Sequence, residues 1–391
     1  MRRRNIYVLI VALSLINIFY NSKVVQAINN EINQSIIVID KKLQQEEELS
    51  IMFTGDILMH DSMMESVKEN GEYKFDDLFK EIKGEFEGND INISNIESGI
   101  NEERPVSGYP CFNAPKGILD TMKNLKVKVL INSHNHILDT GYQGLTNTLK
   151  KLEESGIKTL GAGYPENKKS IVLNKGKIKA GVMAYTYGVN GGNKYKDYIN
   201  YIDKENIKKE IKHLKGVGCN YLIVYLHIGT EYKLEIETYQ KELIDFIINQ
   251  GVDAVVCSHP HVPRKSEIIK IDNKAVYVNY GMGNFISNQN YKYTDIGTIS
   301  KIKIGYSEGK TFLKSASSIP VYRLRYEEEK KIYRAILVRD LDKFKEHIYT
   351  EDIKIIKKVA NDVGFKYTCD KTKSSLKILK NIAPCWEYTE V

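Results

Sequence analysis

GVDAVVCSHPHVPR, residues 251–264, is an apolar run that ends abruptly in two histidines separated by one proline. Val252 to Cys257 reads as a buried strand, because a short β-branched run bounded by turn residues fits a pleat with both faces covered. Proline then restricts the backbone between His259 and His261, so two imidazoles leave a strand end at i, i+2 spacing. Six further runs have the same character: Ile51–Thr54, Asp90–Ser94, Val127–Asn132, Lys179–Tyr185, Tyr221–Leu226 and Ala275–Asn279. Between them Gly144–Glu154, Lys204–Leu214 and Glu237–Asn249 carry apolar residues at helical period. Strands alternating with helices predict an α/β domain.

Chemistry-bearing residues collect where these strands end. Asp56 and His60 follow the first run, Asn95 and Glu97 the second, and His134, Asn135, His136 and Asp139 the third. His227, Gly229 and Glu231 follow Tyr221–Leu226; His259 and His261 follow Val252–Cys257; Asn284 follows a Gly-Met-Gly turn. Six of the eight histidines lie in these loops, leaving His213 in a helical segment and His347 in the tail. Ligands of open α/β sheets bind beyond the carboxyl ends of strands, and imidazole and carboxylate suit zinc, manganese or iron. Two such ions can activate a water against a phosphoryl centre. Each residue alone has a plainer reading: Asp56 as a helix cap near Ser62, His227 as a satisfied strand-end histidine, His136 as either a ligand or a general acid. The accumulation favours a metal site.

The N-terminus reads separately. Arg2, Arg3 and Arg4 precede an uncharged run from Ile6 to Tyr20, and Val25-Gln26-Ala27 resembles a cleavage site. This is the pattern of a signal peptide over 1–27, with an uncleaved anchor through residues 5–25 as the alternative. Either one predicts an extracytoplasmic protein, secreted or held at the cell surface. Residues 28–48 are polar and read as a linker, 49–290 as the main domain, and 291–391 as a smaller β/α extension. The net charge of +7 comes from the leader and from residues 301–391, so the body between them is slightly acidic. No basic stripe with interleaved aromatics marks a nucleic-acid binder. Five scattered cysteines without a CxxC pair leave at least one free thiol.

FTGDILMH (53–60), NISNIES (92–98), INSHNHILDTGYQGLTNTLKKL (131–152), GIKTLGAG (156–163), LHIGTEY (226–232), GVDAVVCSHPHVPR (251–264) and VNYGMGNFISNQ (278–289) occur in that order. As a set they resemble the CapA family of capsule (poly-γ-glutamate) synthesis, a variant of the calcineurin-like metallophosphoesterases. The resemblance implies a β-sandwich flanked by helices. It also implies two divalent ions: Asp56 and His261 on one with His60 assisting, Glu97 bridging, and Asn135, His227 and His259 on the other. His136 would then be the acid facing the leaving group. Three departures stand out: the D-x-H start usual in metallophosphoesterases is replaced by Asp56 with His60 four residues on, Glu97 replaces the bridging aspartate, and His134 stands where asparagine is commoner in the family. The implied role is in making, exporting or anchoring an anionic surface polymer, with capsule-synthesis membrane proteins as partners. The alternatives are a secreted metal-dependent phosphodiesterase or phosphatase, and a non-catalytic, metal-stabilised polymer-binding module.

Overall fold

The computed structural model describes residues 22–23, 25–32, 34, 47–167 and 169–369. The chain divides into two units, Met1–Glu47 and Glu48–Val391. In the first, the described residues between 22 and 34 are helical, and the Ile6–Tyr20 run lies outside the described residues. Among the described residues no helix is long and apolar enough to cross a membrane.

The second unit is built on two sheets. In the larger one, strands Glu47–Ile57, Ile91–Ile96, Val127–Ile131 and Lys158–Leu160 run parallel in that spatial order. The smaller holds Ile178–Thr186, Tyr221–His227, Ala254–Ser258 and Lys274–Asn279, again parallel. Parallel neighbours need a crossover, which is why strand and helix alternate along the sequence. Ser266–Ile271 and Ile171–Lys175 close the smaller sheet as antiparallel edges.

Side-chain alternation shows how the layers stack. Along Tyr221–His227, Tyr221, Ile223 and Tyr225 join Ile51, Phe53, Ile93, Val129 and Ile131 in a core between the sheets. Leu222, Val224 and Leu226 point the other way, onto Ile207, Ile211 and Leu214 of helix Lys204–Gly216 and Ile244, Ile247 and Ile248 of helix Thr238–Asn249. Burial on both faces explains the uninterrupted apolar run YLIVYL. The larger sheet has its own outer cover, with Met52 and Leu130 against Phe75, Phe79, Ile118 and Met122. The architecture is a β-sandwich flanked by helices, as the family resemblance implies, and it has the alternating strands and helices that the sequence pattern predicts.

The larger sheet continues across residue 290. Asn284–Ile286 pairs with Glu47–Ile57, and Ile296–Ser307, Lys310–Glu327 and Lys331–Leu337 extend the same sheet as antiparallel strands. Helix Thr350–Val363 packs Ile356, Val359 and Ala360 against Ile296, Leu324 and Ile336. Cys111, Cys219, Cys257 and Cys369 are free thiols, and Cys385 lies outside the described residues.

The crossing of these segments depends on Gly55. A Cβ there would stand 2.2 Å from the carbonyl oxygen of Gly283, a backbone atom that cannot yield. Asp56 N donates to that same oxygen at 3.0 Å. G55A should therefore destabilise the fold by at least the ~1–3 kcal/mol typical of overpacking, read as a lowered denaturation midpoint. An unchanged midpoint would refute this close approach.

Candidate metal centre

All the parallel strands deliver their carboxyl ends to one edge of the sandwich, and the predicted residues meet there. Asp56, on the strand Glu47–Ile57, is fully buried and does not cap the helix Asp61–Ser66. It accepts hydrogen bonds from Asn95 Nδ2 at 2.7 Å, Ser258 Oγ at 2.6 Å and the His259 amide at 3.1 Å. Glu97 leaves the next strand, its amide bonded to Ile57 O. Its carboxylate is also sealed from water, yet neither oxygen has a hydrogen-bond partner. Burial above all, and then the nearby Asp56 carboxylate, push Glu97 up to about 8.

Imidazoles surround that carboxylate. His227 Nε2 lies 3.5 Å from Glu97 Oε1 and 2.9 Å from Asn135 Oδ1. His261 Nδ1 lies 3.9 Å from Glu97 Oε2 and 3.7 Å from Asp56 Oδ2. Burial drops His227 to about 4 and holds His259 well below the usual histidine range, so both are neutral, with unpartnered Nδ1 atoms. Neutral imidazole is the ligating form. His259 and His261 adopt φ of +100° and +60°, a left-handed backbone that costs roughly 1–3 kcal/mol per non-glycine residue and persists only when the surroundings impose it. Asp56 bonding to the His259 amide and Tyr232 N donating to Pro260 O impose it here.

Three sets of ligand atoms each fall within 4.8 Å of one another: Glu97–His227–His259, Asp56–Glu97–His261 and Glu231–His259–His261. Glu97 belongs to two of them. A donor-free buried carboxylate facing neutral imidazoles is a costly arrangement in an apolar interior and one that a divalent cation would complete, so the residues fit a metal.

His60 and His134 fall outside these three sets. His60 Nδ1 accepts from the Asn288 amide at 3.3 Å while its ring meets Phe112 edge-on, and burial lowers it to about 4. His134 is fully buried with neither ring nitrogen partnered, its ring 6.2 Å from that of His227.

His136 has a different setting. Its Nε2 stands 4.0 Å from Glu97 Oε1, while Nδ1 donates to Asp139 Oδ2 at 2.6 Å. Burial pulls its pKa down, but the Asp139 hydrogen bond and the Glu97 and Asp139 charges outweigh this and raise it. Phe112 N and Asn190 Nδ2 both donate to Asp139 and hold the pair in place. Tyr187, its ring tilted 37° to that of His259 at 4.6 Å, and Tyr232, 5.9 Å from His261, flank the opening with partly exposed rings.

Sequence reasoning missed Ser258, Asn190 and Arg264. Ser258 sits directly before the histidine pair, so its position was a usable signal. Asn190 lies in a stretch that reads as a glycine turn, and nothing in it points to His136. Arg264 is buried and bonds Glu237, Gln240 and the carbonyls of Thr230 and Lys233. Its cationic character conceals a structural clamp on the loop that carries Glu231.

Residues 50–289 match the family described as bacterial capsule synthesis protein PGA_cap. The chain is 26% identical over 263 residues to the PGA biosynthesis protein CapA of Bacillus subtilis (strain 168), covering 65% of this chain and 67% of that one. It is 23% identical over 266 residues to the capsule biosynthesis protein CapA of Bacillus anthracis, covering 65% and 63%; it thus spans about two-thirds of the length of these relatives. Among solved structures, the calcineurin-like phosphoesterase YfkN of Bacillus subtilis superposes with a TM-score of 0.43 at 14% identity, over 80% of this chain and 99% of that one. The Haemophilus influenzae NAD nucleotidase gives 0.44 at 13%, over 81% and 62%. With more than half of its length matched, the chain belongs to the bacterial capsule synthesis protein PGA_cap family.

Proposed function

We propose that this protein works outside the cytoplasm in the synthesis, export or anchoring of an anionic surface polymer such as poly-γ-glutamate, and that its pocket holds two divalent ions, manganese, zinc or iron. Family membership supports the polymer role. The observation that carries the metal reading is Glu97, buried without a donor and shared by two candidate ligand sets. Glu97, Asn135 and His227 would hold one ion. The other would lie on the His261 side of the pocket. Ions bound there would act as Lewis acids and generate a water-derived nucleophile near neutral pH.

The His136–Asp139 pair favours a second reading, a metal-dependent phosphoester hydrolase. Asp139 fixes Nδ1 as the protonated nitrogen and keeps the ring facing Glu97. With its pKa raised, His136 can hold a proton at neutral pH and release it to a leaving oxygen. A polymer-binding module clamped by metal would need no such pair.

Metal analysis of the purified chain, together with hydrolysis of a generic aryl phosphodiester, separates these readings. Under the hydrolase reading, H136A keeps its metal and loses ~100-fold or more in kcat. D139N removes the carboxylate charge that helps to raise His136, so its alkaline limb in kcat/KM should move to lower pH. A full metal load with no turnover on any phosphoester would sink the hydrolase and leave the polymer role. An unchanged surface polymer after gene deletion would count against that role, and intact chain recovered from the cytosol with Met1–Ala27 attached would refute export.

Glu97 also makes the thermal stability depend on metal and pH. Its folded pKa lies above the ordinary carboxylate value, so in metal-free protein its contribution to stability is present at low pH and is lost as pH rises through about 8. At pH 9, chelated E97Q should melt above the chelated parent, and with manganese added the order should reverse. If E97Q melted lower under both conditions, Glu97 would be an ordinary structural carboxylate.

A further inference from the structure

Building on the two-ion reading, we propose that Glu231 is a metal ligand: with His259 and the Nε2 atom of His261 it holds the more exchangeable ion at the rim of the pocket. A neutral imidazole has one lone pair, and the hydrogen bond at its other nitrogen decides where that lone pair points. His261 Nδ1 lies 3.0 Å from Asn284 Oδ1. The Asn284 amide is oriented by its nitrogen, which is 2.9 Å from each of three acceptors: Ser287 Oγ, Gln289 Oε1 and Thr294 O. The carbonyl of Asn284 therefore faces His261 and accepts from Nδ1–H, which leaves the lone pair on Nε2.

Nε2 points toward Glu231, with Oε1 3.9 Å away. Glu231, His259 and His261 form one of the three sets of converging ligand atoms, and it is the set on the solvent side, with the Glu231 side chain 38% exposed. His259, nearly fully buried, still has an unpartnered ring nitrogen. Asp56, by contrast, already receives three hydrogen bonds and needs no cation to satisfy it.

The loop bearing Glu231 is preorganised. Arg264 bonds the carbonyls of Thr230 and Lys233, and Glu237 Oε1 accepts from the Thr230 amide. Gly229 turns the loop at φ +123°, where a Cβ would lie 2.8 Å from Pro260 and 2.9 Å from Arg264 Nη1. Only glycine allows the loop to lie this close to the histidine pair. An anion arriving from solvent would meet the Glu231 ion first.

The test is manganese binding to the full chain, with free ion followed by electron paramagnetic resonance. Wild type should bind two ions; E231Q should bind one of them at least tenfold more weakly and keep the other, whereas E97Q should weaken the ion that E231Q leaves intact. Melting of chelated E231Q at the parental temperature would show that the variant is folded. Two ions bound by E231Q as tightly as by wild type would overturn the assignment and place the ion inward, on Asp56 and His261 Nδ1. Loss of both ions in E231Q would overturn it as well, by making Glu231 indispensable to the inner site. Wild type binding fewer than two ions would instead refute the two-ion reading on which the assignment rests.

Discussion

Water cannot reach the Glu97 carboxylate, and no protein donor satisfies it. An ionised carboxylate in that position is expensive unless it is neutralised by a proton or paired with a positive charge. Two of the nearby histidines supply none, because burial leaves His227 and His259 neutral, and His136 offsets the charge only from 4.0 Å. The centre is thus a buried, donor-free acid faced by electron-pair donors, an arrangement that a cation would complete.

The supporting structure keeps that ring rigid. Asp56 draws Asn95, Ser258 and the His259 amide onto one carboxylate, which ties the two sheets together where their strands end. The strained φ values of His259 and His261 follow from this tie and from the Tyr232–Pro260 hydrogen bond. Asp139, Asn284 and Arg264 then act one step farther out. Each fixes the orientation of a group that faces the pocket: His136, His261 and the Glu231 loop respectively. Outer partners of this kind commonly set tautomer and ligand geometry in metal sites.

The two flanks of the pocket differ in character. On one side His136 sits with a raised pKa beside Asp139, suited to handling a proton. On the other, His261 and Glu231 lie nearer solvent, suited to binding an exchangeable ion. Partly exposed tyrosines line the opening between them. The pocket thus separates a proton-handling group on one wall from electron-pair donors on the other.

How much of this was legible beforehand follows from the range of the interactions. Strands buried on both faces announce themselves as continuous apolar runs, so YLIVYL and DAVVCS could be placed from sequence alone, and strand ends marked where Asp56, Glu97, His227, His259 and His261 would gather. Local pattern could also place the helices Lys204–Gly216 and Thr238–Asn249 to within a residue or two. What only the tertiary structure decided was pairing. Asp56 meets a residue 203 positions away, and the tautomer of His261 depends on Asn284, two strands farther along the chain. Sequence determines which donors are available and roughly where the chain turns; which nitrogen faces which oxygen is set by packing two sheets against each other, and no local periodicity encodes that contact.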